Sequence, residues 1–225
     1  MAEFSSDKKE ELVLGLFERE IIKFVEFTLK SDRKSPIYYN QRPLLSIDRA
    51  LTMIPGRQRK IASLAVEGYA AQTDSHATLY GIPQAATAIG ALVAQKTGAS
   101  YLWGRVGKKD YGKHEAIEGD FQIGDAVLQL DDVVTNADSK INSAVDLAHA
   151  GLETTGFVVM LDRQEGGTDA LASAGYRMQS VVTMSEAALI LNMNNVIGTQ
   201  ELDALGAYHE DLRAIGIQST YSYTG

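Results

Sequence analysis

The chain has 225 residues, 45% of them hydrophobic and 22% charged, an ordinary composition for a soluble globular protein large enough to bury a core. A formal net charge of -8 and a pI near 5.0 argue against a nucleic-acid or anionic-membrane surface, while leaving room for a local basic site that takes a small anion. With no cysteine, disulfides, thiolate catalysis and cysteine-type zinc sites are excluded.

The first residues carry charge where a secretory peptide needs an apolar run, and the longest weakly polar stretch, around Ala85 to Ala94, is too short and too rich in alanine and glycine to span a bilayer. A cytoplasmic protein is the expectation. Residues 7–25 place Leu12, Leu16, Phe17, Ile21 and Val25 broadly on one face, which predicts a helix interrupted near Gly15. Alternation at Phe27, Leu29, Ile37 and Tyr39 around a turn at Ser31-Asp32 predicts a hairpin, a small hood placed before the main sheet. Residues 44–72 read as helical, broken at Pro55-Gly56, with Ile61, Leu64, Ala65 and Tyr69 on a later face. A strand or loop through Gly81-Ile82-Pro83 leads to a small-residue helix over 85–96, closed at Gly98.

Tyr101-Leu102-Trp103 is a short predicted strand. The stretch after it, GRVGKKDYGKHEAIEG, is too polar and glycine-rich to pack, so a mobile basic loop is expected, either a solvated charge run or a lid that closes on phosphate. Val127 to Leu130 is an apolar strand ending in Asp131 and Asp132, followed by a polar turn. The next helix, 139–150, is expected to turn Ile141, Ala144, Val145 and Ala148 inward. Residues 156–161 form a wholly apolar run, hence a buried parallel strand, ending in the polar run 162–167. A helix over 168–174, a strand over 178–183 and another helix follow, and the tail from Asn192 has no clear role. Strands alternating with helices, with polar residues gathered where strands end, predict an α/β fold with a mostly parallel sheet. Residues 1–43 form the helix and hood and 44–225 the core, effectively one domain. At the central strand end, carboxylates can accept bonds from two ribose hydroxyls and hold outer-shell Mg²⁺, while loop and helix N–H groups face a phosphate. A solvated strand terminus followed by an ordinary helix cap is the plainer alternative.

Six segments in order, FTLKSDRKSPIYYN, GIPQAATAIG, GRVGKKDYGKHEAIEG, VLQLDDVVTNADS, LDRQEGG and AGYRMQSVVTMSE, are similar to segments of the orotate phosphoribosyltransferase family, including the corresponding domain of UMP synthase. The resemblance covers roughly residues 10–190. It implies a type I phosphoribosyltransferase-like fold: a mostly parallel central sheet flanked by helices, a small N-terminal hood and a mobile catalytic loop. It further implies a homodimer with shared active sites, and the reaction of orotate with phosphoribosyl pyrophosphate (PRPP) to orotidine monophosphate and pyrophosphate in de novo pyrimidine synthesis, with Mg²⁺ arriving through PRPP near Asp131 and Asp132 rather than on direct protein ligands. On this resemblance Asp131 and Asp132 hold the ribose hydroxyls, and Arg105, Lys109 and Lys108 neutralise pyrophosphate. Lys30 sits near the base and leaving group, Arg163 meets orotate's carboxylate, Tyr38 and Tyr39 lie near the base, and Thr135, Asn136, Ala137, Asp138 and Ser139 form the phosphate loop.

That loop departs from the family's small, neutral pattern. Ala137 stands where a glycine is usual, and a positive φ there costs an alanine about 1 kcal/mol or more. Asp138 puts a carboxylate where a phosphate dianion is expected, and Val106-Gly107 removes a cation of the usual basic loop. A divergent non-catalytic or regulatory homologue with weak PRPP binding, or a phosphoribosyltransferase for another base, is therefore the alternative.

Overall fold

The alternation of apolar strand runs with amphipathic segments builds one six-stranded sheet and a separate two-stranded hood. The structure is a computed structural model that describes residues 4–28, 33–45, 57–73, 77–104 and 117–222. The elements are α1 (Ser6–Glu18), β1 (Ile22–Thr28), β2 (Lys34–Tyr39), α2 (Arg57–Ala71), β3 (Thr78–Gly81), α3 (Thr87–Thr97), β4 (Tyr101–Gly104), β5 (Ile117–Glu118), β6 (Ala126–Val134), α4 (Asp138–His149), β7 (Glu153–Asp162), α5 (Gly167–Ser173), β8 (Arg177–Thr183), α6 (Met184–Met193) and α7 (Thr199–Ala214). The sheet runs β5-β4-β3-β6-β7-β8, parallel except for the β4–β5 pair, and β1 and β2 form the antiparallel hood. The expected α/β architecture is present.

The two faces of the sheet carry two cores, as period-two alternation requires. Leu130, Val158, Met160 and Val182 pack with α1, α2, α3 and α6, whereas Val127, Phe157 and Val159 pack with Ala144, Leu147 and Leu171 of α4 and α5. Both faces are covered, so β6 and β7 read as apolar runs.

Four expectations need correction. The first helix stops at Glu18, and Ile22 to Val25 belong to β1: Glu20 takes a positive φ of 56°, which turns the chain before Ile21 and Ile22 enter the core. Gly15 does not interrupt α1. It lets the helix approach α2, because a Cβ there would lie 2.1 Å from Ile61 Cδ1. β6 continues through Val134, so the acidic pair lies inside a strand still paired to β7. The inward face of α4 is Lys140, Ser143, Ala144 and Leu147, while Val145 and Ala148 face outward. Polar partners on β6 explain that rotation: Ser143 Oγ donates to Gln129 Oε1 at 2.6 Å, and Lys140 reaches Asp131.

Candidate active site

The C-terminal ends of β3, β6 and β7 bring three predicted segments together. Gly81 pairs with Leu130, and Ile82 N–H donates to the Leu130 carbonyl, so the Gly81-Ile82-Pro83 bend lies beside the acidic pair. On the other side, Arg163 N–H donates to the Val134 carbonyl. Gly167 allows the loop after β7 to press on the loop after β6, since a Cβ at Gly167 would lie 2.3 Å from the Thr135 carbonyl oxygen. Ligands of open α/β sheets bind in such a crevice beyond the strand ends.

At its centre, Asp131 and Asp132 differ in surroundings. Asp131 is 6% exposed; its Oδ2 accepts from Lys140 Nζ at 2.6 Å and its Oδ1 from the Asp132 N–H at 2.9 Å. Its backbone carbonyl accepts from the Tyr69 hydroxyl at 2.7 Å. Asp132 is half-buried, and burial together with the adjacent Asp131 charge pushes its carboxyl up to about 7, against the pull of Lys140. Burial first, and then the nearby Asp132 and Asp131 charges, hold the Tyr69 hydroxyl well above the usual tyrosine range, and burial, the neighbouring Tyr69 and the same two carboxylates do so for Tyr39.

Residues 135–139, where the resemblance leads one to expect phosphate contacts, contain a left-handed turn. Ala137 takes φ 69° and ψ -3°, a left-handed conformation, immediately before α4. It is 2% exposed and belongs to the core on that face of the sheet. Asp138 opens the helix, where a carboxylate is favoured by the backbone dipoles, and its Oδ2 accepts from Asn136 Nδ2 at 2.6 Å. Asn136, Asp138 and Ser139 are exposed, and Thr135 is half-buried. An anion at this helix start meets N–H groups, as helix N-termini provide, but also the Asp138 carboxylate.

The hood contributes by alternation. Ser35, Ile37 and Tyr39 share its inner face, and Tyr38 points the other way, edge-on to Phe27 at 4.8 Å between ring centroids. Tyr39 therefore approaches the acidic pair and Tyr38 does not. The Tyr39 and Tyr69 hydroxyls both meet the side-chain amide of the fully buried Gln41, at 3.0 and 3.2 Å. Ser35 Oγ accepts from Arg163 Nη2 at 2.7 Å, and Glu165 Oε1 accepts from Arg163 Nε at 2.6 Å. Arg163 is thus 4% exposed and has two N–H groups engaged, leaving others of its planar fork for an anionic partner. Lys30, Arg105, Lys108 and Lys109 lie outside the described residues.

Sequence reasoning missed Lys140, Gln41 and Tyr69. Lys140 was hidden because a lysine is ordinarily read as surface; its place in the stripe 140-143-144-147 was the available signal. It also missed α7, whose Leu205, Tyr208, His209 and Leu212 are buried. His209 stacks on Tyr221 at 4.4 Å, and its Nδ1 lies 2.7 Å from Ser219 Oγ. Burial, then the charges of Arg163 and Arg213, pull the imidazole down to about 4.

No family model matches the chain. It is 33% identical over 178 residues to the orotate phosphoribosyltransferase of Pyrococcus furiosus, covering 79% of this chain and 94% of that one. It is 31% identical over 200 residues to the uridine 5'-monophosphate synthase of Bos taurus, covering 89% of this chain but only 40% of that longer relative. Among solved structures it resembles the UMP synthase of Leishmania donovani, with a TM-score of 0.77 at 27% identity, covering 91% of this chain and 42% of that one.

Proposed function

Since the chain belongs to the orotate phosphoribosyltransferase family, we propose that it joins orotate to PRPP, giving orotidine 5'-monophosphate and pyrophosphate in pyrimidine synthesis. The observation that carries this reading is the acidic pair on β6, set directly before a left-handed turn and the N-terminus of α4. In the reaction, a nitrogen of orotate forms a bond to ribose C1 as the C1–O bond to pyrophosphate breaks. The bonding electron pair leaves with pyrophosphate, and the proton of the base nitrogen passes to that group or to water. Positive character grows on the ribose, so a carboxylate beneath the sugar and cations around the leaving group stabilise the transition state without a protein nucleophile.

On this reading a carboxylate of the pair receives the ribose hydroxyls, backbone N–H groups of residues 135–139 receive the 5'-phosphate, and Arg163 orients the acidic base from beneath the hood. Arg105, Lys108 and Lys109 neutralise pyrophosphate, and Lys30 stands near the base and leaving group. Among the described residues no cluster of three or more His, Asp or Glu side chains could hold a metal ion. The half-buried Asp132 carboxylate suits an outer-sphere contact to metal-bound water better than a metal cage. Mg²⁺ brought in with PRPP supplies charge neutralisation on the pyrophosphate oxygens. A homodimer with shared sites and a cytoplasmic location complete the proposal; among the described residues no helix is long and apolar enough to cross a membrane.

Asp138 favours a second reading, a homologue that binds orotate but holds PRPP weakly. One assay separates the two. The protein is mixed with orotate, PRPP and Mg²⁺, orotate's absorbance is followed, and uracil and a purine base are tested as competitors. Loss of absorbance that neither competitor suppresses supports the orotate enzyme. Orotate binding without turnover supports the second reading. Mixing a Lys109→Ala chain with an Asp132→Ala chain tests the shared site, with partial recovery of activity expected in heterodimers and none if each subunit is self-contained.

A further inference from the structure

The two carboxylates of the strand lie on opposite faces of the sheet. Asp131 is in register with Val159 and shares its side, toward α4, whereas Leu130 and Val158 line the other. Asp132, one residue on, therefore faces the side of Tyr39 and Tyr69, whose hydroxyls feel its charge. Beneath Asp131 sits Lys140, whose ammonium has three N–H groups and three acceptors: Asp131 Oδ2 at 2.6 Å, the Val133 carbonyl oxygen, and Ser139 Oγ at 3.4 Å. The side chains of Lys140 and Asp131 are 4% and 8% exposed. Its other oxygen accepts from the Asp132 N–H, so each oxygen of Asp131 already holds a donor inside the fold, and its burial on the α4 side leaves the remaining lone pairs little access to a ribose hydroxyl.

We propose that Lys140 is a positioning residue that ties Asp131 inward, so that Asp132 is the carboxylate that takes the ribose hydroxyls of PRPP. Two further consequences come from the same contacts. From the first turn of α4, Lys140 reaches back to the strand at 131 and 133, across the residue held in a left-handed conformation. It therefore braces the turn that presents N–H groups to the phosphate. Being consumed internally, its charge is not a direct phosphate ligand. The acidic pair thus divides into one carboxylate for the scaffold and one for the sugar.

This inference rests on the proposed PRPP chemistry, and one set of titrations distinguishes their failures. PRPP is titrated calorimetrically into the wild-type protein, Asp132→Asn, Lys140→Met, Lys140→Arg and the double variant Asp131→Asn/Lys140→Met, with KM and kcat measured alongside. Asp132→Asn is expected to weaken PRPP by roughly thirtyfold, as for a lost charged acceptor. Lys140→Met leaves a buried carboxylate unpaired beside Asp132 and is also expected to weaken PRPP, mainly through KM, with Lys140→Arg recovering most of the loss. The double variant removes both charges of the buried pair, a change that folds tolerate. It still lacks the Lys140 brace but leaves no buried charge unpaired, so it is expected to weaken PRPP less than Lys140→Met and less than Asp132→Asn. A double variant as damaged as Asp132→Asn, in a wild type that binds PRPP, overturns the division of labour alone. A wild type that does not bind PRPP overturns the function reading and the division with it.

Discussion

Asp138→Asn removes one negative charge from the phosphate loop while keeping the side-chain shape and an oxygen that can accept from Asn136. The carboxylate is exposed, is bonded to Asn136 Nδ2 at 2.6 Å, and stands in the first turn of α4, the turn whose N–H groups are proposed to receive the 5'-phosphate. At ~5 Å, unit charges repel by about 3 kcal/mol at an effective dielectric near 20 and by about 0.8 kcal/mol in bulk water. An exposed carboxylate lies between these limits, so about 1.5 kcal/mol is the working figure, or PRPP bound about tenfold more tightly. The same change gives up a favourable charge at a helix N-terminus, about 0.5 kcal/mol of stability. Calorimetric PRPP titrations at low and high salt, with urea unfolding of the free proteins, measure both effects. The account expects tighter binding, a gain that shrinks with salt, and a slightly less stable protein. Unchanged affinity at low salt would refute the reasoning, because the carboxylate would then be remote from the bound phosphate.

Other perturbations probe the loop and the buried ionisable groups. Ala137→Gly relieves about 1–2 kcal/mol of left-handed strain and loses about 0.8 kcal/mol of methyl burial, so urea unfolding should show a gain below ~1 kcal/mol, whereas Ala137→Val should lose stability. Asp132, raised to about 7 by burial and the adjacent Asp131 charge against the pull of Lys140, and on the side of Tyr39 and Tyr69, holds a proton between the ordinary carboxylate range and 7 that the unfolded chain has released. Its contribution to stability is full below the ordinary carboxylate range and is lost as pH rises toward 7; Asp132→Asn should remove that slope from a series of thermal melts. His209 works in the opposite sense. Lowered to about 4, it stays neutral when the unfolded chain takes up a proton, so its contribution is present above 6.5 and is lost as pH falls toward 4. His209→Phe should flatten that acid limb in the same melts, and an unchanged limb would mean that the imidazole does not titrate with folding.

Much of this architecture was legible because the chain keeps two periods distinct. Runs such as 156–161 can satisfy only a strand covered on both faces, and the small-residue stretch closed at Gly98 ends where φ turns to 73°. The left-handed turn at Ala137 was also legible, since only the place of a missing glycine pointed to it. The phase of α4 was not. Its inward stripe begins with a lysine and a serine, and only the partners on β6, Asp131 and Gln129, make those residues core-facing. The boundary between α1 and β1 was hidden for a different reason. Ile21, Ile22 and Val25 continue a helical pattern on paper, and one positive φ at Glu20 redirects them into the hood. Near the C-terminus, the buried positions of α7 include a tyrosine and a histidine, which dilute the apolar stripe that Leu202, Leu205 and Leu212 otherwise mark.

The central claim is that this crevice transfers a phosphoribosyl group, and phosphorus NMR of the wild-type protein with PRPP, Mg²⁺ and orotate tests it most directly. The account predicts that the pyrophosphoryl signals of PRPP convert to free pyrophosphate as a nucleotide monophosphate signal grows in equal amount, and only when orotate is present. PRPP signals that persist unchanged, while orotate is seen to bind, would contradict it.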